Sequence, residues 1–428
     1  MFGNKLLISA ALLGSIALGA GAQTSPQGDT GGHEKLKSSV PEKKPLKGAP
    51  VKLSRQQKFV VDTVKMAVAL PQPDPQDRLR VLSTAADVVS PIDRNMAKQL
   101  WREGVRIESD LIRVGQTPAV SLMAAGQADC TSAQNFVENL PYTAAVQAEQ
   151  SLIGAVTSCP KQTLDLVARK LDAALDKNIV APRALMAVME AQGHSSPVSQ
   201  QRFEKMFRSL PDASKNSDEA ENYAAMYAQM APDVSKDLAS SAGLELLAWL
   251  GKVKDSPIRT LAINITGGAM QQALGEEAYR KALEKDVVAQ STVQNAGEPR
   301  EIERPQEDTV SVLEAMDNVG TDRTDALRGL PPVQRARQAA ANGFAAGTSG
   351  KKDQAAKYFD MAFSAVDDVW DARTPKTDAA AVVSEVGEAA AQVDSINALT
   401  RAQKLRDSSA QAIAMLAVAR VVASSGQN

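Results

Sequence analysis

The stretch SRQQKFVVDTVKMAVALPQPDPQDRLRVLSTAADV, residues 54–88, decides the fold. Its apolar residues Phe59, Val60, Val64, Ala67 and Val68 recur at steps of three and four, the period of one helix face, and Ser54 stands where an N-cap belongs. The helix stops before Pro71, and a second, from Pro75 to Val88, carries Leu79, Leu82 and Ala86 on one face. The same grammar repeats outward. Ser90-Pro91, Ser196-Pro197 and Ser256-Pro257 each place a capping hydroxyl before a proline at the first helical position, where its missing N–H costs nothing. Pro160, Pro182 and Pro232 each open a helix without that serine. The prolines that punctuate residues 71–257 stand mostly 14 to 27 residues apart, room for a helix and a short turn, so neighbours are expected to pack antiparallel. Alternating strand patterns with hairpin turns are missing. The expected fold is all-α: antiparallel helical hairpins stacked as an irregular α-solenoid, behind a disordered N-terminal segment.

Composition agrees with helices. Of the 428 residues, 44% are hydrophobic but only 4% aromatic, so the apolar content is mainly aliphatic and Ala, which suits close-packed helices better than an aromatic-rich sandwich. Forty-eight basic against 50 acidic side chains leave a net charge of −2, which argues against a nucleic-acid binder. Two His and two Cys leave no room for a His-rich or multi-Cys metal site. A phosphate-loop reading of Ala345–Lys352 fails, because Ala345 replaces the first glycine and Lys352 the hydroxyl. No cofactor is expected.

Residues 1–22 have the layout of a secretory signal peptide: Lys5, an uncharged apolar run from Leu6 to Ala20, and the small-x-small ending Ala20-Gly21-Ala22. Export to the periplasm or the extracellular space follows, with no transmembrane segment expected after cleavage. Residues 23–53 form a disordered basic linker whose Lys35, Lys37, Lys43, Lys44 and Lys47 suit electrostatic contact with an anionic envelope; a solvated spacer is the plainer reading. In an oxidising compartment Cys130 and Cys159, 29 residues apart, are expected to form a disulfide. Helices fill residues 54–290. The polar, proline-bearing stretch 291–308 is expected to be a linker or long loop, and 309–428 a C-terminal helical region ending in two Ala/Val-rich helices near Thr377–Val393 and Ile396–Ala423.

Within that C-terminal region Gly343, Gly350, Ala355, Phe359 and Ala362 have the relative spacing of a tetratricopeptide repeat. Small Ala355 and Ala362 let two helices approach, Phe359 fills the gap behind them, Gly343 permits close packing and Gly350 the turn between. Residues 339–362 thus resemble one such repeat in part; Ala339, Asn342 and Ala346 replace the family's Trp, Leu and Tyr, and Ala97, Trp101 and Gly104 echo the spacing weakly. The resemblance implies a concave surface for peptide or protein partners.

Glu108-Ser109 and the distant Gly268-Ala269-Met270-Gln271 resemble fragments of an exported lytic transglycosylase site, but 160 residues separate them, unlike that family's compact site. Glu108 shares its helix with Arg102, Glu103, Arg106, Asp110 and Arg113, which predicts a solvated carboxylate paired with arginines. His194 reads as a loop or capping residue, and the pairs Glu276-Glu277 and Asp367-Asp368 as solvated helix charge. Trp101, Trp249 and Trp370 read as core anchors. The expected function is that of an exported non-enzymatic helical-repeat protein binding protein or peptide partners as a cell-envelope scaffold, through a groove near Ala339–Val369 or Pro75–Val114. The alternatives are a cell-wall-acting enzyme with Glu108 as general acid, and a structural protein attached to the envelope through its basic segment.

Overall fold

The computed structural model describes residues 53–123, 129–213, 216, 219–253, 256–285, 324–371 and 374–425. The expected signal peptide, nearly all of the expected basic linker and the stretch 291–308 lie outside the described residues. Every regular element among the described residues is helical: α1 (Arg55–Ala69), α2 (Pro75–Val89), α3 (Arg94–Arg113), α4 (Cys130–Asn139), α5 (Glu149–Ser158), α6 (Pro160–Leu175), α7 (Pro182–Gln192), α8 (Pro197–Arg208), α9 (Ala220–Met230), α10 (Lys236–Lys252), α11 (Pro257–Leu274), α12 (Glu276–Lys285), α13 (Thr324–Arg328), α14 (Pro332–Thr348), α15 (Lys352–Asp371), α16 (Lys376–Ala402) and α17 (Ser408–Ser425), with a 3₁₀ turn at Tyr142–Ala144. The fold is all-α.

Local chemistry explains most boundaries. Ser54 and Gln57 form a reciprocal capping box at the start of α1, at 3.0 and 3.1 Å. Ser196 and Ser256 cap α8 and α11 ahead of Pro197 and Pro257. Two expected starts are corrected. Ser90 ends α2, donating its N–H to the Ala86 carbonyl at 3.0 Å, and α3 begins later because the Asp93 carboxylate accepts from both Asn95 and Met96 N–H. Likewise α10 starts at Lys236 under the Ser235 hydroxyl, and Pro232 lies in the preceding turn. The helix expected over 396–423 is also two: residues 403–407 interrupt it, and Asp407 caps α17 by accepting from Ser409 and Ala410 N–H at 2.8 and 3.0 Å. Within α16, Asp394 leaves helical geometry (φ −156°, ψ 100°) and caps the residues that follow.

The helices enclose two cores. One is built from α3 to α12, with Phe203, Phe207, Tyr223, Tyr227 and Trp249 packed edge-on or stacked at its centre. The other joins α1, α2 and the start of α3 to α13–α17. The ends of the described chain therefore meet. Helix α17 lies against α16, α1 and α2, and Gln56 of α1 donates to the Val422 carbonyl at 2.6 Å. A stack in which each repeat touches only its sequence neighbours makes no such contact, so the expected solenoid does not describe how the ends are arranged. Among the described residues α17 alone is long and apolar enough to cross a membrane, yet its run from Ser409 to Ala419 is almost wholly buried in this second core.

The hairpin α14–α15 carries the five residues of the repeat-like spacing. Ala355, Phe359 and Ala362 are buried, a Cβ on Gly343 would stand 2.9 Å from the Phe359 ring, and Gly350 turns the chain at φ +79°. Cys130 and Cys159 are bonded, with Cα atoms 5.4 Å apart, tying the first residue of α4 to the junction of α5 and α6. Two stability outcomes follow. Replacing both cysteines by serine lowers unfolding free energy by about 3–4 kcal/mol, the loop-closure value for a crosslink of this span, read from denaturant midpoints with and without reductant. Gly343→Val drives a branched side chain into Phe359 and lowers it by about 1–3 kcal/mol.

Candidate functional site

Helix α3 has two working faces. Ala97, Leu100, Trp101, Gly104, Val105, Glu108, Leu111 and Ile112 are buried, while Arg102, Arg106 and Arg113 are exposed. Its upper part, Ala97 and Leu100, belongs to the second core, and Trp101, Val105, Leu111 and Ile112 to the first, so α3 joins the two. The inner face seizes the chain that returns after the helix. The Trp101 indole N–H donates to the Leu122 carbonyl at 2.9 Å, the Glu108 carboxyl accepts from the Leu122 N–H at 3.2 Å, and the Leu122 side chain rests on Gly104, where a Cβ would stand 2.0 Å from its Cδ1. Gln76 of α2 holds the same return, donating to the Thr117 carbonyl and accepting from the Ala119 N–H at 3.0 and 2.7 Å.

Glu108 is therefore not the solvated carboxylate that its charged neighbours suggest. Its exposure is 0%. The Ser151 hydroxyl of α5 donates to it at 2.5 Å, and the Ser121 hydroxyl lies near it without hydrogen-bond geometry. Burial pushes the carboxyl above its ordinary 4.5, and the Ser151 and Leu122 donors, with the nearby Ser121 hydroxyl, draw it part of the way back. The signal was present in the sequence: position 108 continues the 97–101–104 stripe by one further turn, so a helix that buries Trp101 also buries Glu108.

Where the buried stripe of α3 meets its arginine-bearing surface, the helix forms a groove of about 690 Å³ with α4. Trp101, Val105, Ile112 and Phe136 supply apolar surface, Arg102, Arg106 and Arg113 line the α3 side, and Ser132, Asn135 and Asn139 the α4 side. Arg102 lies 3.5 Å from Asp129 and Arg113 2.9 Å from Asp110, with side chains 62% and 73% exposed. Among the described residues no carboxylate comes within 4.0 Å of Arg106. Ser109 spends its hydroxyl on the Val105 carbonyl of its own helix at 2.8 Å. The lining contains no Asp, Glu, His or Cys, and Glu108 is not part of it. The arrangement is suited to holding a ligand by guanidinium, amide and aromatic contacts. The three arginines and two asparagines were not singled out by sequence reasoning; the steps 102–106–113 and 132–135–139 mark them as single-face sets once both helices are known.

The other singled-out residues lie elsewhere. His194 Nδ1 pairs with Asp233 at 2.9 Å. Trp249 and Trp370 are buried core anchors. Asp367 and Asp368 are more than solvated charge: Asp367 accepts from the Arg406 N–H at 2.9 Å, and Asp368 from Arg335 at 2.6 Å, linking α15 to its neighbours. Glu276 and Glu277 are exposed, the latter pairing with Lys281. Cys130 begins the helix that forms the second wall of the groove. Among the described residues no three His, Cys, Asp or Glu side chains converge as a metal ion requires.

Glu108 generates a pH-dependent outcome. Because its folded pKa is raised, its contribution is fully present below the unfolded value and is lost as pH rises through the folded one. Glu108→Gln keeps an acceptor for Leu122 N–H and a partner for Ser151, so its stability at neutral pH equals or exceeds that of the parent, and the fall between acid and neutral pH becomes smaller. The fall does not vanish, since buried Asp77 and Glu149, and also Asp87, are shifted in the same direction. Glu108→Ala leaves the Leu122 N–H and the Ser151 hydroxyl without this acceptor, at about 1–3 kcal/mol for each buried group. Thermal unfolding across pH measures all three proteins. Comparison with protein-family models, curated proteins and solved structures finds no match for this chain.

Proposed function

We propose that this is an exported, non-enzymatic helical protein that binds a segment of a protein partner in the α3–α4 groove, acting as a scaffold in the cell envelope. The observation that carries the reading is the groove itself: a trough floored by the edges of the buried Trp101, Val105, Ile112 and Phe136 between a guanidinium edge and an amide edge. Trp101 and Phe136 are core residues whose edges close its floor, and the exposed arginines supply a residue type enriched at protein contacts. Its α3 wall lies within Pro75–Val114, one of the two places where the sequence led us to expect a groove, and its α4 wall lies beyond that range. The disulfide holds its second wall in the oxidising environment to which the N-terminal residues direct the chain.

The enzymatic alternative, with Glu108 as general acid, has less support. That carboxyl has no exposed surface and faces Leu122 and Ser151, so a sugar chain has no route to it. Attachment through Lys35, Lys37, Lys43, Lys44 and Lys47 is compatible with groove binding and concerns residues outside the described ones.

Two measurements test the reading. Intact-mass analysis of the protein recovered from the envelope fraction gives a chain beginning at Gln23; a chain retaining Met1 and found in the cytoplasm overturns export. A photo-crosslinking residue placed at exposed Asn135 gives a discrete adduct in living cells, and the same residue at exposed Lys161 on α6 does not. Equal labelling from both positions overturns the groove as the binding site.

A further inference from the structure

We infer that the α3–α4 groove selects an acidic, extended peptide segment, with Arg106 as its specificity-determining residue; this rests on the groove reading above and adds the chemistry of the partner. Arg102 and Arg106 are one helical turn apart, about 6 Å along the axis, and Arg113 lies about 10 Å further. In an extended chain, side chains at i and i+2 point the same way about 6.6 Å apart. Two carboxylates in a Glu-x-Glu or Asp-x-Asp arrangement therefore match Arg102 and Arg106 in register. The lined stretch of α3, Trp101 to Arg113, is about 18 Å long, the span of five or six extended residues.

Charge complementarity decides the sign of the partner. Three guanidinium groups stand along one edge, and the lining contains no acidic side chain. Asp129 and Asp110 share the charge of Arg102 and Arg113, whereas no carboxylate among the described residues lies within pairing distance of Arg106. A planar guanidinium matches a carboxylate with two parallel hydrogen bonds. The opposite edge favours a peptide over a simple polyanion. Asn135 presents an exposed amide that donates and accepts, as the peptide group does, while Asn139 gives one N–H to the Asn135 carbonyl at 2.8 Å, and the edges of the buried Trp101 and Phe136 form an apolar floor. A phosphate polymer uses the arginines and leaves both of those features unsatisfied.

The test is an array of immobilised peptides of about six residues around a central leucine, carrying Glu-x-Glu, Gln-x-Gln or Lys-x-Lys, probed with the folded chain at about 0.15 M salt. Affinities of bound peptides are then measured by fluorescence anisotropy, with inorganic polyphosphate as competitor. The expected result is binding of the Glu-x-Glu set, about tenfold or more weaker for the Gln counterparts. Arg106→Gln produces a loss of similar size and Arg106→Lys a smaller one, and both keep the parental melting temperature because the side chain is exposed. Asn135→Trp, which fills the groove from an exposed position, removes binding altogether. If Gln-x-Gln peptides bind as well as Glu-x-Glu and Asn135→Trp abolishes both, acidic selection is overturned while the groove reading stands. If polyphosphate binds more tightly than any peptide, the ligand is a phosphate polymer and the inference fails. If no peptide binds, this inference and the reading beneath it fall together.

Discussion

The capture of Leu122 by helix α3 is the constraint on which the site depends. One residue is gripped at three points: its carbonyl by Trp101, its N–H by Glu108 and its side chain by the space that Gly104 leaves open. Each contact covers a different need. The two hydrogen bonds satisfy backbone groups that burial would otherwise leave unpaired, and the third fits a branched side chain against a helix too closely for any Cβ between them. The grip settles where the chain stands at residue 122, and Ser158 holds the next carbonyl, that of Met123, at 3.2 Å. The disulfide then ties the first residue of α4 to the end of α5. The two walls of the groove are in this way referred to one another.

Helix α3 divides its labour cleanly because an α-helix presents distinct faces at fixed steps. Its inner stripe belongs to packing and includes a carboxyl that most surroundings would drive into water. Glu108 is tolerated there because Ser151 and Leu122 supply donors and because the raised pKa favours the neutral form. Its outer stripe keeps guanidinium groups at the surface, where their charge is affordable. Reactive-looking chemistry and accessible chemistry thus lie on opposite sides of one helix. The buried acid is part of the scaffold, and the surface of the groove is made of cations, amides and aromatic edges.

The second core gives the fold its closure. Helix α17 is Ala- and Val-rich on nearly every side, and α1, α2 and α16 together surround it. A helix with so little polar surface requires neighbours all round, and the chain supplies them from both of its ends. Close approach is possible because the contacts are small: a Cβ on Gly387 would stand 3.0 Å from the Ala414 carbonyl oxygen and from the Ala417 side chain. Ion pairs such as Arg401 with Asp360 at 2.7 Å and the bidentate Arg337 with Glu385 rim these interfaces, where partial exposure keeps their individual contribution small.

Local rules in the sequence were enough to determine the all-α class, the caps at Ser54, Ser196 and Ser256, the turn at Gly350, and the pairing of the only two cysteines. Each depends on residues within a few positions of one another, or on a choice with a single answer. The starts misread at Pro91 and Pro232 failed for the same local reason, since Asp93 and Ser235 a few residues later are the caps in use. The tertiary structure alone decided that α1 and α2 meet α17, that Glu108 faces Leu122 and Ser151, and that α3 and α4 stand apart by the width of a groove. A periodic pattern tells a helix which face to bury, but not against which distant helix. That choice depends on the summed shapes and charges of faces far apart in the chain, and folding is what brings them together.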